Sequence, residues 1–271
     1  MHLRRASRTT NVPRTVRFTC AGRTDVGVVR SGNEDAFLMV PNDGVFIVAD
    51  GMGGHAAGEV ASEMAVQIVG RSLKGLIGRA DAEAAEVIRK GIVEANGAIF
   101  QRTLVEQDKR GMGTTATAMV INGDRYLIGQ VGDSRAYVLR KETLLQITKD
   151  HSYVQEQVDA GYLTPEQART HPYSNVITRC VGANADVAPD IYGGTLHEGD
   201  VFLLASDGLT GMLEDNELAT IMTQGRPPGE LVDRLIAEAN RRGGLDNITV
   251  IVIRVDSVEV TDDEPAEAVG T

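Results

Sequence analysis

Short apolar runs separated by polar breaks recur along most of the chain, and this pattern predicts β-strands. Each run is rich in β-branched residues and is bounded by Gly, Asp or Asn, as strands usually are. The Asn122-Gly123 pair between two runs is a strong signal for a tight hairpin, so several strands should pair antiparallel. The predicted strands are Val45–Ala49, Thr115–Ile121, Arg125–Val131, Arg135–Leu139, Val201–Ala205 and Ile248–Val255.

Other stretches repeat apolar residues every three or four positions, which is the period of an amphipathic helix. Two such series cover Ala61–Leu76 and Ala84–Ile99, and a further pair of helices is predicted over Asp215–Gln224 and Pro228–Arg242. Strands, then two long helices, then strands again do not make the regular alternation of a doubly wound sheet. The pattern therefore predicts an α+β protein with a β-sandwich core and helices packed on its outer faces.

Several acidic residues lie where a predicted strand meets a loop, and two of the predicted strands run into Asp-Gly. A single Asp-Gly pair is more typical of a turn than of a binding site, because Asp favours turns through its own backbone hydrogen bonds. Several acids at strand ends instead indicate functional groups held by a rigid scaffold. The acids in question are Asp50, Asp133, Asp207, Asp246 and the pair Glu34-Asp35 that follows Asn33.

These carboxylates would repel one another if the strands converged, unless a cation lay among them. Ligation by oxygen alone favours Mg²⁺ or Mn²⁺ over zinc. Two such ions about 3.5–4 Å apart can share one carboxylate and lower the pKa of a bridging water, which makes hydroxide available as a nucleophile. Asp50 is the candidate bridging ligand, and the carbonyl of Gly51 is accessible because glycine permits close backbone approach.

Composition narrows the function further. The chain has 271 residues and a formal net charge of −11, which argues against general nucleic-acid binding. Two cysteines are too few for a disulfide framework, and no apolar run approaches the roughly 20 residues that span a bilayer, so a cytoplasmic protein is expected. Residues 1–23 are predicted to be a basic N-terminal tail, and residues 257–271 an acidic, disordered tail.

The motifs of three other kinds of hydrolytic site are missing from the sequence. Neither Cys20 nor Cys180 is followed six positions later by the arginine of a cysteine phosphatase loop. A G-x-x-x-x-G-K-[ST] loop and a G-x-S-x-G elbow are both absent from the sequence, which argues against a P-loop ATPase and an α/β-hydrolase.

Eight motifs in order resemble those of the bacterial metal-dependent protein phosphatases, the PPM or type-2C serine/threonine class. The motifs are TDVGVVRSGNEDAF, VADGMGGHAAGE, GMGTTATAMV, VGDSRAYVLR, ITKDHSYV, HPYSNVITRCVG, LLASDGL and DNITVIVI. The resemblance covers about Thr24–Val255. It implies a phosphatase domain over residues 24–256, built as a four-layer αββα sandwich of two mostly antiparallel sheets, with a flap segment at about 150–182 that influences substrate choice.

The resemblance also implies a role for each site residue. Asp50 corresponds to the bridging metal ligand and Gly51 to a carbonyl ligand, and Arg30 corresponds to the arginine that binds the substrate phosphate. The other implied metal ligands are Asp207 and Asp246 on one ion, Glu34 and Asp35 around the second, and Asp133 together with Asp207 on a weaker third. Asp50, Asp207 and Asp246 are accordingly the predicted catalytic acids.

The sequence departs from many eukaryotic members at one position. Met52 stands where those members have a histidine proposed to protonate the leaving alcohol, so the proton donor here is open. His55 and a metal-bound water are alternatives, and His55 is at least as well explained as a turn or capping residue. His151 is predicted to order a loop.

The predicted activity is hydrolysis of phosphoserine and phosphothreonine monoesters with Mn²⁺ or Mg²⁺. One alternative is a catalytically inactive pseudophosphatase scaffold, although none of the expected ligand acids is missing. Another is a phosphatase of the related sporulation-regulator type that acts on a single anti-sigma antagonist. Phosphoproteins are the expected partners, with a bacterial Ser/Thr kinase and its targets among them, and the chain is expected to be a monomer.

Overall fold

The structure, a computed structural model, describes residues 14–53 and 57–260. The strands in these ranges are β1 (Arg14–Asp25), β2 (Asp35–Val40), β3 (Val45–Met52), β4 (Gly113–Thr114), β5 (Ala116–Asn122), β6 (Arg125–Val131), β7 (Arg135–Arg140), β8 (Thr143–Gln146), β9 (Asp190–Thr195), β10 (Val201–Ala205) and β11 (Ile248–Val260). The helices are α1 (Ala57–Ser72), α2 (Asp81–Val105), α3 (Tyr153–Asp159), α4 (Pro165–Arg169), α5 (Asp207–Thr210), α6 (Asp215–Met222) and α7 (Pro228–Arg241).

The strands form two sheets. One has the order β1-β11-β10-β7-β8, and the other has the order β2-β3-β5-β6-β9, with the short β4 paired to β3. All of the strand pairings are antiparallel. Because neighbouring strands run in opposite directions, the end of one strand lies beside the start of the next. Residues far apart in sequence thereby meet at the same end of a sheet.

Alternation along each strand divides the interior into three apolar layers. On β3, Val45, Ile47 and Ala49 pack against α1 and α2, while Phe46 and Val48 face the other sheet. On the opposite sheet, β10 and β11 send one face to the inter-sheet core and the other to α6 and α7. This is the αββα sandwich that the sequence predicted, and the prediction is confirmed.

Two segments that were predicted to belong to the tails form strands instead. Residues 14–23 and 257–260 were predicted to be tails, but they form β1 and the last part of β11, which pair along their whole length. Alternate side chains of β1, such as Val16 and Phe18, pack against the inter-sheet core, and the outward Arg17 forms an ion pair with Glu259 at 2.6 Å. Residues 1–13 and 261–271, where the rest of the two predicted tails lies, are outside the described residues.

Two further features bear on function. The predicted flap contains α3 and α4. The isolated bridge Ser152↔Ile177 pairs the two ends of the flap with each other, and the bridge Thr114↔Val181 joins its last residues to β4. Across residues 14–53 and 57–260, each helix is too short or too polar to cross a membrane.

Candidate active site

The acids of the sheet that contains β2 and β3 lie at one end of the sandwich. β2 begins at Asp35, which pairs directly with Asp50 near the end of β3. Direct partners in an antiparallel pair project to the same face. Asp50 continues the face of Phe46 and Val48, and Asp35 continues the face of Phe37, so the apolar inter-sheet layer ends in two carboxylates.

The second sheet contributes its acids at the same end. β10 stops at Ala205 and is followed by Asp207, while Asp246 lies just before β11. Ser206 connects the two sheets directly, because its hydroxyl donates a hydrogen bond of 2.7 Å to Oδ2 of Asp35. The backbone N–H of Thr249 in turn donates to the Ser206 oxygen at 2.9 Å. Asp35 is thus held in place from the opposite sheet.

The electrostatics show that these carboxylates share one site. Burial, together with the charges of Asp207 and Asp246, raises the pKa of Asp35 to about 7. Burial raises the pKa of Asp50 well above its usual value, and the charges of Asp35 and Asp207 add to this effect. The pKa of Asp207 is raised by burial and by the charge of Asp246. Each acid therefore resists ionising while the others are charged.

Two further acids belong to the same cluster. Burial and then the charge of Asp207 raise the pKa of Asp133, which lies in the turn between β6 and β7. The pKa of Glu34 is also raised, first by burial and further by the charge of Asp246. The structure therefore brings together every acid that the sequence nominated, while their individual roles as metal ligands stay predictions.

The cluster fits divalent cations. Oδ1 of Asp35 and Oδ1 of Asp133 are buried without a hydrogen-bond partner, which is costly for a carboxylate unless a cation binds it. Among residues 14–53 and 57–260, no group of three or more His, Cys, Asp or Glu side chains is arranged so that it could hold a metal ion by itself. An ion bound by one or two of these carboxylates would keep water ligands, as Mg²⁺ commonly does.

Gly51 is required by the crowding around its backbone. A Cβ atom at this position would lie 2.2 Å from the carbonyl oxygen of Gly58 and 2.4 Å from that of Glu34. No larger residue can occupy the position without moving the backbone around Glu34. This close approach holds Gly51 beside the acid cluster, in keeping with the predicted carbonyl ligand.

Arg30 lies at the open side of the cluster. Its Nη2 atom is 2.7 Å from Oδ2 of Asp246, and about half of its side chain is exposed. The negative charges of Glu34 and Asp207 also act on it. The guanidinium has donors beyond the one used by Asp246, and its planar fork suits the oxygens of a phosphate group.

Four polar residues that support the acids were not nominated from the sequence. Thr115 accepts a hydrogen bond from the backbone N–H of Asp50 at 2.9 Å, and its hydroxyl lies 2.7 Å from that of Ser134. Ser206 holds Asp35, as described above. Asn247 accepts from the backbone N–H of Glu34 at 2.8 Å, and its amide donates to the carbonyls of Val26 and Gly32 at 2.9 Å each. Each of the four adjoins a nominated acid or a nominated motif, and this adjacency was the only available signal.

Asn247→Ala should weaken Mn²⁺ binding by about 10–100-fold, as losses of outer-shell support commonly do. The reason is that Asn247 links the loop carrying Arg30 and Glu34 to the start of β11. Isothermal titration calorimetry with Mn²⁺ measures the effect, and Asn216→Ala on the exposed face of α6 is the control. Equal Mn²⁺ affinity in the two variants would show that Asn247 does not position the site.

The histidines supply no clear proton donor among the described residues near the acids. Met52 pairs with Gly113 at the end of β3, and His55 lies outside the described residues. His151 orders a loop, as predicted. Its Nδ1 accepts from the backbone N–H of Gly132 at 3.1 Å, and its Nε2 lies 3.0 Å from Asp190. Burial lowers the pKa of His151, which favours the neutral ring that this arrangement requires.

Known proteins of similar sequence indicate that the acid cluster belongs to a protein phosphatase. The family description "Protein phosphatase 2C" matches residues 30–231. Serine/threonine phosphatase stp of Listeria monocytogenes is 41% identical over 238 residues, which are 86% of this chain and 94% of that protein. Protein phosphatase PhpP of Streptococcus pneumoniae is 40% identical over 235 residues, covering 85% of this chain and 94% of that protein.

Solved structures with a similar fold are also serine/threonine phosphatases. The Mycobacterium tuberculosis serine/threonine phosphatase PstP/Ppp superimposes with a TM-score of 0.82 at 37% identity, covering 89% of this chain and 99% of that chain. A structure of the PstP catalytic domain in complex with two manganese ions gives a TM-score of 0.80 at 36% identity, covering 90% of this chain and all of that one. Sequence motifs, fold and relatives thus agree: the chain belongs to the protein phosphatase 2C family and is a serine/threonine phosphatase of that type.

Proposed function

We propose that this chain hydrolyses phosphoserine and phosphothreonine monoesters of proteins with two Mn²⁺ or Mg²⁺ ions held by the acid cluster. The observation that carries the proposal is the convergence of buried acids from separate strands at one end of the sandwich, two of them with unpaired oxygens. When bound, the ions supply a water of lowered pKa and neutralise charge on the phosphoryl oxygens.

The positions of the acids support a division of roles. Asp50 and the carbonyl of Gly51 would be the shared ligands, because the charges of acids from both sheets act on Asp50. Asp207 and Asp246 would hold one ion, and Glu34 and Asp35 would serve the second. Asp133, whose pKa is raised by burial and by the charge of Asp207, would hold a weaker third ion.

Arg30 would bind and orient the substrate phosphate. In the reaction, water adds to phosphorus and gives up a proton while the bond from phosphorus to the serine or threonine oxygen breaks, and that oxygen takes up a proton to leave as the hydroxyl. Arg30 lies beside Asp246, so a phosphate that it binds is presented to the acid cluster. Met52 cannot donate a proton, which leaves that role to a group other than the side chain at this position.

Arg30→Ala should raise KM for a phosphothreonine peptide by roughly 10–100-fold, because a charge-assisted contact to phosphate contributes about 1.5–3 kcal/mol. Mn²⁺ affinity should be retained, since Arg30 is not a ligand. Initial-rate kinetics and Mn²⁺ calorimetry measure the two effects, with Arg23→Ala as a control arginine whose partner is Asp233. Unchanged KM would remove Arg30 from the phosphate site.

The activity itself is tested by phosphate release from a panel of phosphothreonine and phosphoserine peptides with Mn²⁺. Release that a chelator abolishes and added Mn²⁺ restores is the expected result. No release at any metal concentration would favour the pseudophosphatase scaffold, which no residue of the cluster supports because every expected acid is present. A panel in which only one peptide is hydrolysed would favour the sporulation-regulator type.

The finer assignments rest on the same family resemblance. A serine/threonine kinase and its phosphorylated targets are the proposed partners, a monomer is the proposed state, and the low cysteine content supports a cytoplasmic setting. Sedimentation of the purified chain and of a mixture with a phosphorylated kinase tests the first two.

A further inference from the structure

Two loops beside Arg30 expose large apolar side chains to solvent. Val28 is 65% exposed and Val29 is 63% exposed on the loop between β1 and β2, and Leu245 is 58% exposed on the turn before β11. We call these three residues the apolar rim. Single exposed apolar residues are ordinary on protein surfaces, but several together beside a site indicate an interaction surface.

The two loops are joined to each other by backbone contacts. The N–H groups of Val28 and Val29 both donate to the carbonyl oxygen of Gly244, at 2.8 and 3.2 Å. Gly27 has a φ of +81°, and a Cβ atom there would lie 2.3 Å from the carbonyl oxygen of Asp246. The apolar rim is therefore formed by two loops that are hydrogen-bonded to each other and closely packed.

The rim is continuous with the proposed phosphate site. Val29 directly precedes Arg30, Leu245 directly precedes Asp246, and Arg30 and Asp246 are themselves joined at 2.7 Å. One residue of extended chain spans about 3.3–3.6 Å. A substrate whose phosphate lies on Arg30 would therefore place its flanking residues within reach of the rim.

The charges nearby favour an apolar flanking residue over an acidic one. Apart from Arg30, the arginines nearest in sequence to the two loops are already paired, Arg23 with Asp233 and Arg242 with Glu217 and Glu238. They are therefore not free to attract an acidic substrate. The acid cluster and the net charge of −11 add repulsion.

We propose that the apolar rim is the docking surface for a large apolar side chain next to the phosphorylated serine or threonine of a protein substrate. This proposal rests on the proposed phosphatase function. It names a feature of the substrate and the residues that select it, and it does not involve the flap.

The test compares phosphothreonine peptides that differ only in the flanking residues, with leucine in one set and serine in the other. The wild-type chain with Mn²⁺ should show a kcat/KM about tenfold higher for the leucine peptides, the scale of discrimination that an apolar contact provides. The double variant Val29→Ser with Leu245→Ser should bring the ratio of the two values to within about twofold of one.

The double variant Leu104→Ser with Val105→Ser is the matched control. It changes the same two residue types at positions that are 64% and 80% exposed at the end of α2, and it should keep the wild-type ratio. Because the readout is a ratio between two substrates of the same variant, a general loss of activity does not imitate the effect.

Equal kcat/KM for both peptide sets in the wild-type chain would overturn the proposal, as would a rim variant that keeps the leucine preference. If the rim variant changes only the sedimentation coefficient, the surface binds a second copy of the chain and the proposal is wrong. Failure of the phosphatase function looks different: the wild-type chain would then release no phosphate from either peptide or from p-nitrophenyl phosphate.

Discussion

Replacing Asp50 with Asn should lower phosphate release from p-nitrophenyl phosphate by at least about a thousandfold, even in excess Mn²⁺, because several kcal/mol of transition-state stabilisation depends on the ions. The charges of Asp35 and Asp207, which come from the two sheets, act on the buried Asp50 side chain. Asn keeps the size of the side chain but removes the negative charge that a shared cation needs. Initial rates over a range of Mn²⁺ concentrations measure the loss.

The same variant should become more stable without metal. Because the Asp50 carboxylate is buried and repelled by Asp35 and Asp207, removing its charge relieves a cost of the metal-free fold. Asp50→Asn should therefore melt at a higher temperature than the wild-type chain in chelator, and gain less from added Mn²⁺. Asp108→Asn, at a position that is 74% exposed, is the control and should change neither property. Near-normal turnover of Asp50→Asn would refute the assignment.

The metal-free chain should lose stability as pH rises from about 4 to about 7. Burial and neighbouring acids raise the pKa of Asp35 to about 7, whereas an unfolded chain has an Asp pKa near 3.9. Between these values the folded state binds more protons than the unfolded state, so the free energy of unfolding falls with rising pH. The shift corresponds to a few kcal/mol at most, or a melting temperature lower by several degrees. Thermal melts in chelator at half-unit pH intervals measure it.

Asp35→Asn provides the comparison for the pH prediction. The amide does not ionise, so the fall in melting temperature between pH 4 and 7 should be smaller in this variant than in the wild-type chain. Saturating Mn²⁺ at pH 7.5 should remove most of the fall in the wild-type chain, since a cation neutralises the same carboxylates. A wild-type melting temperature that rises steadily from pH 4 to pH 7 in chelator would contradict the electrostatics described above.

Much of the fold could be predicted from local patterns. The bounds of β6 and β10 match the sequence prediction, because both strands are buried and both end at turn residues. β1 was missed because its charged residues, including Arg14 and Arg17, mask the alternation, and because its partner β11 lies more than 200 residues away. Only that long-range ladder turns the segment into a strand, and no local pattern contains it.

The candidate site, too, could be predicted only in part from the sequence. The acids could be nominated because each lies at a strand end, and the family resemblance supplied their roles. Ser206 and Asn247 could not be nominated, since their importance depends on contacts with Asp35 and Glu34 across more than 170 residues of sequence. The apolar rim likewise arises only when the loop at Val28 meets the turn at Gly244.

The metal centre formed by the gathered acids is best tested by calorimetric titration of the metal-free chain with Mn²⁺ at pH 6.5. At least two ions per chain should bind and protons should be released, because acids with raised pKa must ionise as the cations bind. Asp50→Asn should lose this binding, while Asp108→Asn should keep it. No binding at millimolar Mn²⁺, or equal binding by both variants, would contradict the claim that the gathered acids form a metal centre.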